Sequence, residues 1–236
     1  MLNHSTPSES ITPLLLGKQA EYLMEVYLKQ STRFELLASQ LQIHGAKSTL
    51  GELDFLLYDK KFETPIHLEM ACKFYLLDTS SEEHTLWIGP NRRDSLPKKY
   101  EKWKTRQFPM LYHEITQKML ADLIPYTVES FQQRCYLRAF LFIPEAHDPR
   151  SLTPSEQRSL VGTYRGKEAL NELDPNAYYA LPPKRHWLLP PPLYPDWIPQ
   201  KEAQPKIAEA IARERAVLVY EKKGSDIKQF FIVWWI

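Results

Sequence analysis

The stretch Gly51–Asp78, GELDFLLYDKKFETPIHLEMACKFYLLD, decides the fold of this chain. Side chains alternate between two faces over Leu50–Tyr58 and again over Pro65–Leu77, and apolar residues fill one face of each segment, as in β-strands. The polar segment Asp59–Thr64 between them is typical of a hairpin loop. The sequence therefore predicts two neighbouring strands joined by a short turn.

Helices and further strands flank this hairpin. Apolar residues at three- and four-residue steps predict a helix over Leu14–Gln30, and Phe34–Ile43 predicts a strand. Downstream, Ser95–Phe108 predicts a helix, part of Tyr112–Leu123 a second helix, and Tyr136–Ile143 a further strand. This order of elements predicts an α/β fold with a central mixed sheet flanked by helices.

The C-terminal part of the chain is less regular and is rich in proline and tryptophan. The run LPPKRHWLLPPPLYPDWIP, Leu181–Pro199, is either a polyproline ligand for another domain or an extended segment packed along its own domain. The second interpretation is the simpler one. Ile207–Arg215 predicts a helix, and Val217–Tyr220 with Phe230–Trp235 predicts a hairpin around EKKGSD.

Three consecutive regions are predicted along the chain. Residues 1–13 are polar and rich in Ser and Thr, which predicts a flexible N-terminal tail. Residues 14–144 carry the α/β pattern and form the predicted core. We expect residues 145–236 to form a C-terminal extension packed on that core.

The composition excludes several classes of protein. With 43% hydrophobic and 25% charged residues among 236, the chain is unlike disordered, collagen-like or coiled-coil sequences. A formal net charge of +1 supplies no global field towards nucleic acid or membranes, so any such contact requires a local patch. The apolar runs are far shorter than the roughly 20 residues that span a bilayer, and we expect no membrane partner.

Cysteine and glycine usage narrows the chemistry further. Two cysteines, Cys72 and Cys135, are too few for a disulfide scaffold or an all-cysteine zinc site. They favour a reducing, cytoplasmic compartment. Neither GxGxxG nor GxxxxGKS/T occurs in the sequence, so a glycine loop that cradles a nucleotide phosphate is not expected.

Charged side chains share one face of the two predicted strands. Asp54 lies on the first strand, and Glu69 and Lys73 lie on the second. Two carboxylates on neighbouring strands can hold Mg²⁺ or Mn²⁺, and a lysine beside them can act on a water molecule or on phosphate charge. Glu21, from the preceding helix, can supply a further carboxylate. These residue types predict a site for metal-assisted phosphodiester hydrolysis.

Structural interpretations of the same residues stay open. Asp54, Glu69 and Lys73 are also compatible with an ion-pair ladder on a solvent-facing sheet surface, which the spacing alone favours. Glu21 and Glu25 are compatible with a solvated helix face. His67, in phase with Glu69, is either a ligand or proton carrier or a hydrogen-bonded sheet histidine, and the last is the simplest interpretation.

A second candidate site is the basic segment that starts at GPNRRDSLPKK. Asn91, Arg92 and Arg93 near a helix start can bind phosphate through side chains and backbone amides. Lys98 and Lys102 on the following helix can then contact a nucleic-acid backbone. The alternative is that Asn91 is a loop residue and that the lysines form a solvated face.

The order and motifs of the core resemble the PD-(D/E)XK nuclease-like superfamily. More closely, LLGKQAEYL, LGELDFLL, HLEMACKFYL, WIGPNRRDSL and LPPKRHWLLPP resemble the bacterial family catalogued as domain of unknown function 1853. The resemblance implies a restriction-endonuclease-like core, with Asp54 and Glu69 as metal ligands, Lys73 as the catalytic lysine and Glu21 as an accessory carboxylate. Mg²⁺ or Mn²⁺ would be the cofactor and nucleic acid the substrate.

One departure from the superfamily pattern separates two functions. The usual Glu-x-Lys spacing would place lysine at Ala71, whereas Lys73 follows Glu69 by four residues and stands one two-residue step further along the strand. The first hypothesis is a metal-dependent nuclease. The alternative, which the displaced lysine favours, is a catalytically inactive nuclease-fold module that binds nucleic acid or protein. Docking of a protein partner through WLLPPPLYPDW is a third, weaker interpretation.

Overall fold

The computed structural model of the chain describes residues 15–46, 48–80 and 86–236, so the predicted tail at residues 1–13 lies outside the described residues. None of the helices in these ranges has both the length and the apolar composition needed to cross a membrane. The α-helices are α1 (Leu16–Lys29), α2 (Leu96–Lys102), α3 (Phe108–Met110), α4 (Glu114–Leu123), α5 (Pro154–Ser159) and α6 (Gln200–Ala212), and a π-helix, Trp103–Gln107, joins α2 to α3.

The strands of the described residues are β1 (Phe34–His44), β2 (Thr49–Asp59), β3 (Thr64–Asp78), β4 (Leu86–Ile88), β5 (Gln132–Pro144), β6 (Leu160–Arg165), β7 (Tyr178–Ala180), β8 (Ile198–Pro199), β9 (Val217–Lys223) and β10 (Asp226–Ile232).

Within the described part of the chain these ten strands pair into one mixed sheet. The spatial order is β1-β2-β3-β5-β6-β10-β9-β7-β8, with β4 paired to β3. β6 runs parallel to both β5 and β10, whereas the β1–β2, β2–β3 and β9–β10 pairs are antiparallel. The structure thus confirms the α/β class and the mixed sheet.

The chain divides into two compact units, and each unit combines segments that are distant in sequence. The hairpin unit consists of Gly17–Cys72 and Pro97–Arg138. The C-terminal unit contains, among the described residues, 15–16, 73–80, 86–96 and Ala139–Ile236. The long strands β3 and β5 contribute to both. The predicted regions 14–144 and 145–236 follow the chain consecutively and stay a prediction.

The hairpin unit holds α1, β1, β2, the helical segment from α2 to α4, and the first parts of β3 and β5. Its apolar core forms where apolar residues of β1 and β2 pack against α4, the residue that follows α3 and the loop after α4. This burial removes large aliphatic and aromatic side chains from water. The buried core residues are Ile43, Leu53, Leu56, Leu111, Leu120, Ile124, Val128 and Phe131.

The C-terminal unit has its own apolar clusters, and the proline-rich run packs inside this unit. The Trp187 ring lies 5.0 Å from Phe74 and 5.2 Å from Phe231, both in edge contacts. The Trp197 indole donates to the Tyr194 carbonyl at 2.8 Å. The interpretation of Leu181–Pro199 as a segment packed along its own domain is therefore confirmed.

The predicted elements of the hairpin unit agree with the structure to within a few residues, whereas the short elements β4, α5, β6, β7 and β8 were not predicted. β6, Leu160–Arg165, has the sequence LVGTYR, which is too short and too mixed to show a strand period. α6 begins at Gln200 rather than Ile207 and contains Pro205. The predicted helix Ser95–Phe108 is interrupted by the π-helix, a local widening that side-chain periodicity does not reveal.

Gly162 in β6 tests how tightly the C-terminal unit is packed. A Cβ at this position would overlap the Gln229 carbonyl oxygen of β10 and would lie 2.9 Å from the Phe142 ring. We expect Gly162→Ala to lower the free energy of unfolding by about 1–3 kcal/mol, measured by denaturant unfolding. Gly17→Ala, where a Cβ meets no atom within 4 Å, is the matched control and should cost nothing. An equal effect of the two substitutions would contradict this packing.

Candidate functional site

The site begins where the regular pairing of β2 with β3 ends. The ladder runs from Asp59 opposite Thr64 to Phe55 opposite Leu68. Beyond it, the Met70 backbone N–H donates to the Asp54 Oδ2 at 2.7 Å. The Asp54 carboxylate is therefore fixed by the strand that carries Glu69, and both carboxylates are buried.

Three carboxylates from α1 and β2 converge beside this point. Glu52 and Asp54 are two residues apart on β2 and share a face, and Glu21 approaches from α1. One oxygen from each of the three lies within 4.8 Å of the other two, so the group could hold a metal ion. Lys18, one turn before Glu21, contacts Glu21 at 2.6 Å and Glu52 at 2.8 Å. The cluster thus combines three acidic groups with one ammonium group.

Glu69 has no exposed surface, and both of its carboxylate oxygens accept hydrogen bonds. Oε1 lies 2.9 Å from the His67 Nε2, and Oε2 accepts from the Gln107 amide. The Gln133 side-chain nitrogen donates to the Phe108 carbonyl at 2.7 Å and lies 3.2 Å from the His67 Nδ1. Because a carbonyl can only accept, this atom is the amide nitrogen and His67 Nδ1 is an acceptor. The ring proton of His67 is therefore on Nε2, and this N–H donates a hydrogen bond to the Glu69 Oε1.

Lys99 is a buried lysine that the fold places near Asp54 and Glu69. It is buried, its ammonium donates to the Gln107 Oε1 at 2.9 Å, and it lies 4.4 Å from the centre of the Trp103 ring. Because Lys99 is only a donor, Gln107 must present its oxygen to Lys99 and its nitrogen to Glu69. The amide of Gln107 thus links the ammonium to the carboxylate.

The crowding of carboxylates changes the acidity of Asp54. Burial and the neighbouring charge of Glu69, followed by that of Glu21, raise the pKa of Asp54 from 3.8 to about 7, against the opposing Met70 N–H and the Lys99 charge. Both main causes disfavour the ionised form. An ionised Asp54 is therefore a destabilising group in this fold.

The structure brings together three of the four residues that the sequence placed at the catalytic site. Glu21 lies beside Asp54, and Glu69 perturbs Asp54 directly. Lys73 belongs to the C-terminal unit, where its ammonium contacts the Asp94 carboxylate at 2.5 Å. The predicted solvent-facing ladder is not formed by Asp54 and Glu69, because both are buried.

Sequence reasoning missed Glu52, Lys99 and Gln107. Glu52 carried a signal, because it shares the strand face of Asp54. Lys99 also carried one, since a lysine four residues before Trp103 lies on the same helix face as a large apolar residue. Gln107 carried only a weak signal, because residues eight apart on an α-helix are turned about 80° from each other and the π-helix removes most of that turn.

The predicted phosphate-binding residues lie at two places. Asn91 accepts a hydrogen bond from the Ala216 backbone N–H at 2.8 Å, and Arg92, with φ of 56°, contacts Asp78 at 3.0 Å and stacks on Trp235. Arg93 is exposed next to them. Lys98 and Lys102 are exposed on α2. Their contact with nucleic acid stays a prediction.

The acidity of Asp54 predicts an unusual pH dependence of stability. Since the folded pKa of Asp54 is about 7 and its unfolded pKa is near 3.8, ionisation destabilises the metal-free protein increasingly as pH rises through this interval. Above pH 7 the full penalty is present. We expect Asp54→Asn to raise the free energy of unfolding at pH 8 by about 2–4 kcal/mol, and by much less at pH 4.

Thermal and denaturant unfolding in EDTA at the two pH values would measure this effect. Asp122→Asn is the matched control, because Asp122 is exposed on α4. A gain in stability common to both variants, or none for Asp54→Asn at pH 8, would show that Asp54 is not a destabilising carboxylate.

Comparison with known proteins identifies the family of the chain. Neither the curated proteins nor the solved structures gave a match. The resemblance to the PD-(D/E)XK superfamily therefore stays a prediction. The sequence model of one family, described as Domain of unknown function (DUF1853), matches residues 4–233. Because this match covers nearly the whole chain, the protein belongs to the DUF1853 family.

Proposed function

We propose that this protein hydrolyses phosphodiester bonds in nucleic acid with the help of Mg²⁺ or Mn²⁺. The observation that supports this proposal is the convergence of carboxylates from α1, β2 and β3, of which Asp54 and Glu69 are buried, near one buried lysine. Asp54, Glu69 and Glu21 were the predicted acidic residues, and Lys99 joins them in the same unit.

The donor set fits a hard divalent cation. Glu21, Glu52 and Asp54 offer carboxylate oxygens, which Mg²⁺ and Mn²⁺ prefer over nitrogen or sulfur. Asp54 is buried beside the equally buried Glu69, and two such negative charges require a cation partner or protonation. When bound, the metal would polarise a phosphoryl oxygen and make a coordinated water more acidic.

The chain's own residues would hold and orient the reacting groups. His67 and Gln107 fix both oxygens of Glu69 by hydrogen bonds, so this carboxylate keeps one orientation. Lys99 would stabilise negative charge that develops on the phosphate, because its ammonium is held in place by Gln107 and by the Trp103 ring. Burial strengthens these interactions, since the local dielectric constant is low.

Lys99 would account for the absence of a lysine from its usual position on β3. The usual lysine position on β3 is occupied by Ala71, and Lys73 pairs with Asp94. An ammonium group supplied by α2 would take over the role that the superfamily pattern assigns to the strand. In this proposal Lys99, rather than Lys73, acts on the phosphate.

A second candidate function is binding without catalysis. Lys18 forms ion pairs with both Glu21 and Glu52, which compensates two of the acidic groups without a metal. A nuclease-fold module that has lost activity would retain such an arrangement. This observation favours the alternative and makes a direct cleavage assay necessary.

The proposal is tested by cleavage of single- and double-stranded DNA and RNA with Mg²⁺, Mn²⁺ or EDTA. We expect metal-dependent cleavage that Asp54→Asn and Glu69→Gln abolish. Lys99→Met should lower the rate about 100- to 10,000-fold, because it removes a charge that stabilises the transition state. Lys73→Met is the matched control, because Lys73 is the lysine that the sequence pattern had placed at the site. The cleavage rate of this variant should stay within about threefold of the wild type.

Each outcome of this assay distinguishes the two functions. Unfolding curves must first show that Lys99→Met folds, since Lys99 is buried. Cleavage that survives Asp54→Asn would refute the proposed site. Absence of cleavage with salt-sensitive binding of nucleic acid would favour the inactive module. A larger loss for Lys73→Met than for Lys99→Met would restore the role that the sequence pattern implies.

A further inference from the structure

The helical segment Leu96–Met110 presents two different faces. It contains five Lys and Arg residues and one Glu. Lys99, Trp103 and Gln107 face the protein, because Lys99 and Trp103 are buried and Gln107 binds Glu69. The remaining basic residues, Lys98, Lys102, Lys104 and Arg106, are exposed.

The π-helix aligns three of these exposed cations. In a regular α-helix, residues four apart drift by about 40° around the axis. The wider π-turn at Trp103–Gln107 removes most of this drift over its length. Lys98, Lys102 and Arg106 therefore lie in one row beside the buried face, whereas Lys104 lies on the other side with Tyr100.

The spacing of the row suits a polyanion with a regular charge repeat. Four residues of α-helix advance about 6 Å along the axis, and the wider turn somewhat less, which is comparable to the step between successive phosphates of one polynucleotide strand. Lys and Arg are the principal side chains that contact phosphate oxygens. A lipid surface has no comparable fixed repeat.

The position of the row connects it to the acidic site. Lys98 and Arg106 are the direct chain neighbours of Lys99 and Gln107, the two residues that lead to Glu69. The row therefore borders the helix face that carries the link to Glu69, and a strand held on the row would run along the edge of that face. As long as no cation is bound to Glu21, Glu52 and Asp54, these carboxylates would repel the nucleic-acid strand. The row supplies the attraction that holds the strand.

We propose that Lys98, Lys102 and Arg106 form a track that binds successive phosphates of one nucleic-acid strand. This inference rests on the proposed function, because it names the surface that delivers the substrate. The sequence had singled out Lys98 and Lys102, and the π-turn adds Arg106. The same track can hold a single strand or one strand of a duplex.

Binding of fluorescently labelled DNA and RNA in EDTA, where cleavage is excluded, tests the track. The variant Lys102→Gln with Arg106→Gln removes two of its charges. We expect about a tenfold loss of affinity at low salt and a fall of about 1.4–1.8 in the slope of log affinity against log salt. Lys104→Gln with Lys118→Gln removes the same charge from elsewhere in the hairpin unit and should leave the slope unchanged.

The outcomes separate this inference from the proposed hydrolysis. Equal losses in the two double variants would overturn the track, even if metal-dependent cleavage by the wild type were intact. Loss of binding only in Lys102→Gln with Arg106→Gln would support the track, even if no cleavage occurred. Parallel measurements on single strands and duplexes would show which form uses it, and unfolding curves would confirm that both variants fold.

Discussion

The burial of Asp54 and Glu69 on neighbouring strands is the constraint on which the hairpin unit depends. Two carboxylates with almost no exposed surface cost free energy unless hydrogen bonds and cations compensate them. The Met70 N–H, His67 and Gln107 supply the hydrogen bonds. Lys99 supplies one charge. The raised pKa of Asp54 shows that this compensation is incomplete in the protein alone.

The helical segment that follows β4 meets this constraint with an irregular backbone. In a continuous α-helix Lys99 and Gln107, eight residues apart, would be turned about 80° from each other. The π-helix Trp103–Gln107 corrects the register and lets a glutamine bridge an ammonium and a carboxylate. Such local irregularities recur at functional sites. Here the π-helix determines which residues lie on the buried face and which lie in the row of Lys98, Lys102 and Arg106.

Much of the fold could be predicted because its strands and helices have clear periods. Leu50–Tyr58 and Pro65–Leu77 gave the hairpin, and α1 and β9 followed from the same reasoning. β6 could not be found, since a six-residue strand with a central glycine has no recognisable period. Of the candidate site, Asp54, Glu69 and Glu21 were found because strand and helix periods fix which face a residue occupies.

The sequence by itself determined the α/β class, the central hairpin and the carboxylates on one face of it, since these depend on local geometry and short-range alternation. Only the tertiary structure decided which buried lysine approaches Asp54 and Glu69. Lys73 was chosen by its spacing on β3, yet it pairs with Asp94, while Lys99 arrives from a helix thirty residues after Glu69. That choice depends on packing and on the register of a π-turn, and neither leaves a period in the sequence.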